Sequence, residues 1–499
     1  MTEDRIPVIV GIGEITDRPG DPRDGLEPLA LMASALERAD TDGGGGLLRA
    51  VDSLDVVNLV SWRYADPARQ LCERLGIAPQ CAIYGPVGGE SPVRLLHEAA
   101  LRIARGESKL AAICGAEAQS TVLKARKTGC ELRWTPLSLE APRSLRGPDY
   151  LHPQAVKLGV AQPITVYPFY DSACAAKWGQ TPRAALAESG NLWAAYARVA
   201  ASNPAAWLKH RFSPDEIITP SAENRLIAWP YTKLMVANPT VNQGAAILIT
   251  SLAHAREAGI AAHRQIHVWG GAAANEPRDY LQRDHYWCSH AQDAVLDAAV
   301  AIAGGQAFDA LELYSCFPCV PKMARRTLGL DASIEPTVTG GLTFFGAPLN
   351  NYMTHAACGM VRHLRHSAGI GLLYGQGEFV TKHHALVLSS RMPGRDLQSW
   401  VPSVQAQADA RRGAVPPFAL EARGTASLET FTVIYDRDGH VSHGVVVLRT
   451  ADGFRTLARV PAGDERTLSR LTDLDRGPVG IDGTLQSGAD GISDWKALA

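Results

Sequence analysis

No apolar run in this chain reaches the roughly 18–20 residues that a membrane span requires. Neither sign of charge dominates: 49 Lys and Arg face 51 Asp and Glu, a net charge of −2. The first absence excludes a spanning helix. The second removes any global attraction to a polyanion, so nucleic acid is not the expected partner. The opening residues Met1-Thr2-Glu3-Asp4-Arg5 lack the basic-then-apolar order of a signal peptide, and a soluble cytoplasmic chain is the expectation. Nine cysteines, odd in number and widely spread, give no disulfide framework and read as reduced thiols. What is present is 499 residues, 46% of them apolar, with a mean hydropathy of −0.07. That is room for about three folded units at roughly 100–200 residues each. Glycine (46) and proline (31) are plentiful and mark many turns.

Residues 5–13 form a short β-branched run closed by glycines, a buried-strand pattern. Leu26 to Ala39 has helical spacing, and Val51 to Val60 is a second strand. Ser91 to Arg105 is a helix with Val93, Leu96, Ala99, Ala100 and Ile103 on one face, followed by a strand at 109–115. This alternation is the βαβ rhythm of a layered parallel sheet. From about 119 to 231 the rhythm lapses into Pro, Trp, Tyr and polar residues, as in an inserted subdomain. Sheet patterning returns at 245–251. A second half then repeats the elements of the first, with strands at 266–270, 310–313 and 386–390 and helices at 291–303, 321–328 and 351–365. A connector at 405–417 leads to a tail in which Glu429 to Tyr435, the turn Asp436-Arg-Asp-Gly439 and Gly444 to Arg449 spell a hairpin. The expected division is 1–260 for the first half with its insertion, 261–395 for the second half and 400–499 for a small β-rich domain.

Six ordered segments carry a resemblance. They are Val87-Gly-Gly-Glu-Ser-Pro-Val93, Gly115-Ala-Glu-Ala118, Trp229-Pro-Tyr-Thr-Lys-Leu-Met235, Glu312-Leu-Tyr-Ser-Cys-Phe317, Thr339-Gly-Gly-Leu342 with Gly346-Ala-Pro348, and Gly375-Gln-Gly377 with Thr381-Lys-His383. In this order they resemble the thiolase superfamily, specifically the type 1 thiolase-like proteins with an added C-terminal domain. The resemblance implies an α/β fold of two βαβαβαββ halves in α/β/α/β/α layers. It also implies an inserted loop domain that receives coenzyme A, and an appended barrel of the oligonucleotide/oligosaccharide-binding (OB) type. An acyl-CoA ester is the implied substrate, the implied class is an acetyl-CoA acetyltransferase-like acyltransferase of lipid metabolism, and relatives are often homodimers. No metal or tightly bound cofactor is expected.

The chemistry that resemblance implies is altered at every station. A thiolase needs a thiolate at the N-terminus of a central helix, where the dipole stabilises negative charge. Here that place falls at or near Glu90, and no cysteine lies between Cys81 and Cys114. The family's Gly-His-Pro stands as Gly346-Ala347-Pro348, its oxyanion residue is matched by Tyr314, and its last acid/base cysteine by Tyr374 or Gly375-Gln376-Gly377. Glu90 as a base, with Tyr314 and Tyr374 polarising a thioester, would suit a retro-aldol or retro-Claisen cleavage without an acyl-enzyme. Two alternatives stand beside it: a catalytically silent acyl-CoA-binding scaffold, and acyl transfer through Cys316.

Other residues admit two readings. Cys316-Phe-Pro-Cys319 fits a redox dithiol, a relocated nucleophile at Cys316, or packing. His355 is a substitute for the missing histidine or a core residue. Ser91, Gly341 and Gln376 lie in the matched motifs as substrate-binding candidates. Asn350 and Asn351 are helix caps or substrate contacts, and Lys233 is a coenzyme A phosphate partner or a free surface lysine. His383 and His384, adjacent on a strand, point to opposite faces and cannot share an ion. His285 and His290, around Trp287-Cys288, show no metal-ligand spacing.

Overall fold

Alternation of strands and helices builds the first half: β1 (Pro7–Thr16), α1 (Pro28–Asp42), β2 (Ser53–Val56), α2 (Pro67–Leu75), β3 (Cys81–Tyr84), α3 (Ser91–Arg105) and β4 (Leu110–Ala118). The computed structural model describes residues 2–140, 144–488 and 491–498. An insertion follows β4, comprising α4 (Gln119–Thr128), α5 (Pro153–Lys157), α6 (Pro163–Lys177), α7 (Pro182–Ser202), α8 (Pro214–Ile218) and the hairpin β5 (Leu226–Ala228) and β6 (Tyr231–Thr232). β7 (Asn242–Ser251) and α9 (Leu252–Glu257) complete the half. The second half runs β8 (Ile266–Asn275), α10 (His290–Ile302), β9 (Ala310–Leu313), α11 (Cys319–Thr327), α12 (Tyr352–His366), β10 (Ile370–Gly377) and β11 (Lys382–Ser389).

The strands lie in the order β3-β2-β4-β7-β1-β8-β11-β10-β9. Strands of the two halves pair through Val8↔His267 and Ile9↔Ile266, so the two sheets join at a narrow seam. Between them lie α3 and α12, each touching strands of both halves, while α1 covers the outer face of the first sheet and α10 that of the second. These are the α/β/α/β/α layers of a thiolase-like α/β fold. The sheet is mixed rather than parallel: β1–β7, β4–β7, β8–β11 and β10–β11 pair antiparallel. For β10 and β11 the reason is a connection of only four residues, which an antiparallel pair permits and a parallel crossover does not.

The central helix α3 spans the residues its pattern predicts. Pro92 sits in its first turn and Gly106, at φ 76°, stops it in the left-handed conformation. Leu95, Leu96, Ala99, Ala100 and Ile103 are buried, because sheets press on it from two sides. Residues 119–231 hold more helix than their composition predicts. Tyr167, Tyr170 and Cys174 in α6 and Trp193, Tyr196 and Ala200 in α7 recur at helical spacing and are buried. Pro168 lies inside α6, which masks that pattern.

After α13 (Gln405–Arg411), the strands β12 (Gly424–Tyr435), β13 (Val441–Thr450) and β14 (Arg455–Pro461), helix α14 (Glu465–Leu471), and strands β15 (Asp482–Ser487) and β16 (Ser493–Ala497) follow. They run in the order β13-β14-β16-β15-β12, and β13 pairs back to β12 to close the ring. The result is a closed five-stranded barrel, and the predicted hairpin is β12–β13. The barrel is docked, not tethered. Ile434 of β12 pairs with Ala228 of β5, and the fully buried Arg455 donates to the carbonyl of Leu281 at 2.8 Å. Among the described residues, no helix is long and apolar enough to cross a membrane.

Candidate active site

The turn into α3 sets the site. Gly88 N–H donates to Asn350 Oδ1 at 3.0 Å, and Asn350 Nδ2 donates to the Asn58 carbonyl at 3.0 Å. Ser91 Oγ donates to the Pro86 carbonyl at 2.8 Å. Asn350 and Ser91 thus hold the backbone that positions Glu90. The Glu90 carboxylate packs on glycine backbone from two strands of chain. A Cβ on Gly88 would lie 2.2 Å from Glu90 Oε2, and one on Gly377 would lie 2.0 Å from the same atom. Only glycine leaves that volume free.

Glu90 sits at the N-cap position of α3 but its side chain makes no capping bond, and its buried Oε2 has no hydrogen-bond partner. Burial pushes its carboxyl up to about 7, against the pull of the Lys382 ammonium and a backbone hydrogen bond. Lys382 is itself committed elsewhere, donating to the Val87 carbonyl at 2.7 Å and pairing with Glu378 at 3.1 Å. The result is a carboxyl that is half ionised near neutrality.

Tyr314 and Tyr374 part company. They are linked through backbone, Tyr314 N–H donating to the Tyr374 carbonyl at 3.1 Å, yet their hydroxyls face different surroundings. A Cβ on Gly89 would lie 2.0 Å from Tyr314 Oη, so that hydroxyl sits on the turn beside Glu90. Among the described residues it has no hydrogen-bond partner, and burial keeps the phenol protonated. On β10, a Cβ at Gly375 would point at Glu90 Cα, 3.0 Å away. By the alternation of a strand, Tyr374 therefore faces the other side. There its hydroxyl accepts from Gln292 Nε2 at 2.8 Å and meets His383 Nδ1 at 2.7 Å. His383 continues to Ser289 Oγ at 3.1 Å, which donates to Glu276 at 2.9 Å. The Tyr374 hydroxyl is spent in a closed polar chain.

The remaining candidates fall into place around these. Gln376 Oε1 accepts from Tyr167 Oη at 2.9 Å and lies 3.5 Å from Cys316 Sγ. Cys316 is buried and its thiol is pushed up to about 12 by desolvation. Cys319 is raised for the same reason, and both thiols are free. His355 is tied to Glu14 at 2.7 Å, with Arg362 on the other carboxylate oxygen. Its Nε2 is buried without a partner. Asn351 donates to the Gly115 carbonyl at 2.6 Å and Gly341 N–H donates to Tyr352 Oη at 3.0 Å. Lys233 is exposed and makes no ion pair among the described residues. His384 faces His97 at 2.9 Å, opposite to His383. The site thus gathers Glu90, Tyr314, Ser91 and Asn350, while the Gln376 side chain, on the Tyr374 face of β10, meets Tyr167 and Cys316. His355, Asn351 and Lys233 make their contacts elsewhere. Lys382 and Tyr167 complete the surroundings, and only Lys382 had a signal, as part of Thr381-Lys382-His383.

Beyond Asn58 opens a cleft of about 770 Å³ lined by Asn58, Ser61, Arg63, Tyr84, Arg126 and Arg146 among others. Its floor is buttressed by Glu117, whose carboxylate accepts the Val60 and Ser61 N–H groups at 2.8 and 2.7 Å.

Residues 404–489 match the family described as thiolase-like protein type 1 additional C-terminal domain. The whole chain superposes on a monomeric SCP2-thiolase-like protein type 1 from Mycobacterium smegmatis, with a TM-score of 0.83, 28% identity and 100% of both chains covered. The chain is a thiolase-like protein with an added C-terminal domain. The thiolase-like core also matches the Ltp2-ChsH2(DUF35) aldolase, at TM-score 0.58 and 17% identity over 79% of this chain and 100% of that one. Human mitochondrial 3-ketoacyl-CoA thiolase matches at TM-score 0.54 and 16% identity over 78% and 100%. At such identities the likeness is one of fold. No curated protein matches the sequence.

Proposed function

We propose that this thiolase-like protein is a cytoplasmic enzyme that cleaves or forms a C–C bond in an acyl-CoA ester without an acyl-enzyme. The observation that carries the reading is the Glu90 carboxyl, whose buried Oε2 has no hydrogen-bond partner, beside the Tyr314 hydroxyl, at the station where thiolases hold their cysteine. In the cleavage direction Glu90 takes the proton of the β-hydroxyl. The Cα–Cβ bond breaks, its electron pair moves to the thioester as an enolate, and a carbonyl compound leaves. Tyr314 donates a hydrogen bond to the enolate oxygen, and the Glu90 proton returns to Cα. A carboxyl poised near 7 serves both proton transfers. Tyr374 supports the strand that carries Gly375 and Gly377 rather than the substrate. The three arginines of the 770 Å³ cleft give the anionic end of coenzyme A a cationic approach, and the Cys316 thiol, held protonated, is a poor acyl acceptor.

The test is release of an aldehyde or ketone and a shortened acyl-CoA from a β-hydroxyacyl-CoA, lost in Glu90→Gln and Tyr314→Phe. A second reading, a silent acyl-CoA-binding scaffold, draws on one observation: Glu90 is only 5% exposed, so a substrate has to displace its glycine cradle. Saturable coenzyme A binding with no turnover of any ester would select that reading. The homodimer implied by the superfamily stands against a Mycobacterium relative that is monomeric, and light scattering decides it for this chain.

A further inference from the structure

The loop before α10 reads Asp284-His285-Tyr286-Trp287-Cys288-Ser289-His290, a spacing without a ligand pattern. The fold nevertheless gathers its donors. Cys288 Sγ lies 3.7 Å from His285 Nε2 and 4.0 Å from His290 Nδ1, and the ligand atoms of all three residues fall within 4.8 Å of one another. Tetrahedral zinc with bonds of ~2.0–2.1 Å to nitrogen and ~2.3 Å to sulfur separates its donors by about 3.5 Å. Closing the observed set around an ion takes only side-chain adjustment.

A second feature points the same way. His290 Nε2 lies 2.8 Å from Asp284 Oδ2. When Nε2–H is donated to that carboxylate, Nδ1 turns its lone pair toward Cys288. This is the carboxylate–histidine pairing that orients a metal-bound imidazole. The Asp284 carboxylate is fixed in turn by the Gly413 N–H at 2.8 Å, and the His285 ring stacks on Trp287 with centroids 3.8 Å apart.

We propose that His285 Nε2, Cys288 Sγ and His290 Nδ1 bind a zinc-class divalent ion, with Asp284 as the outer carboxylate and a fourth position left to water. Two nitrogens and one sulfur are a borderline-soft set that selects zinc over magnesium or calcium. Binding displaces the Cys288 thiol proton to solvent. The same loop offers the Leu281 carbonyl to Arg455 Nη1 at 2.8 Å and the Asp284 carbonyl to Arg455 Nη2 at 3.2 Å, so the ion clamps the seat of the C-terminal barrel.

The experiment uses the purified full chain, loaded with zinc and dialysed, with metal content read by mass spectrometry, and a parallel sample loaded with cobalt(II) and read by absorption. The expected result is one zinc per chain and a near-ultraviolet thiolate-to-cobalt band. Cys288→Ser abolishes that band, while Cys81→Ser, at an exposed thiol, keeps it. Asp284→Asn weakens zinc binding about 10- to 100-fold. His285→Asn, which spares the thiol, gives the same loss if Cys288→Ser fails to fold. A folded wild-type chain that retains no zinc and shows no cobalt band overturns the proposal, as does a band that survives Cys288→Ser.

Discussion

Replacing Glu90 with glutamine removes the charge and keeps the shape, and the structure fixes the sign of the result. The Glu90 carboxyl, ordinarily at 4.5, is raised to about 7 by burial, so the native state holds its proton more tightly than the unfolded chain does. Below the ordinary value the group is neutral in both states and makes no difference. As pH rises through about 7 the unfolded carboxyl is already ionised, and the native state must either keep the proton or bury the charge. Stability is lost across this interval and the loss is complete above it. At 1.36 kcal/mol for each pH unit between the two values, the loss at pH 8 is about 3 kcal/mol. Glu90→Gln avoids it. Urea unfolding followed by tryptophan fluorescence should therefore show variant and wild type alike near pH 4.5, and the variant more stable by up to about 3 kcal/mol at pH 8. Glu117 and Glu312, also raised by burial, titrate in both proteins and cancel in the difference. Equal stabilities at pH 8, or a variant less stable there than the wild type, would refute the reasoning, because Glu90 would then be solvated or paired.

Tyr314→Phe removes a hydroxyl that has no hydrogen-bond partner among the described residues, so it should leave the urea midpoint unchanged and cut C–C cleavage by about 10²–10³-fold. Tyr374→Phe should show the opposite pattern, losing about 1–3 kcal/mol of stability as Gln292 and His383 lose their shared partner, with a smaller loss of turnover. Cys316→Ser should keep activity, and the intact mass of the wild type after exposure to an acyl-CoA should carry no acyl adduct. Arg455→Met should free the barrel from the Leu281 and Asp284 carbonyls and leave Glu429 of β12 without its buried partner, costing roughly 3 kcal/mol, and limited proteolysis should then release the C-terminal domain.

Much of the fold was legible because its signals are local. The apolar face of α3 and the stop at Gly106 mark that helix to the residue, and the Asp436-Arg-Asp-Gly439 turn marks the barrel's first hairpin. β10 escaped because half of Ile370–Gly377 resembles a loop, with glycines at 371, 375 and 377. Two of those glycines are absent of side chain for the sake of Glu90. In α6 the helical spacing was masked by the interior Pro168. The identity of Glu90 could be read from motif order, whereas its isolation depends on Gly377 and Tyr314, more than 200 residues away along the chain. The two tyrosines looked equivalent in sequence. Strand alternation on β10, fixed by Gly375 and Gly377 facing Glu90, is what separates them.

Product analysis tests the central claim most directly. A β-hydroxyacyl-CoA incubated at pH 8 with wild type and with Glu90→Gln, with coenzyme A species and carbonyl products followed by mass spectrometry, gives a plain outcome. The account predicts a shortened acyl-CoA and an aldehyde or ketone in equal amounts from the wild type and neither from the variant. Equal product from both proteins, or an acylated cysteine on the wild type, would contradict it.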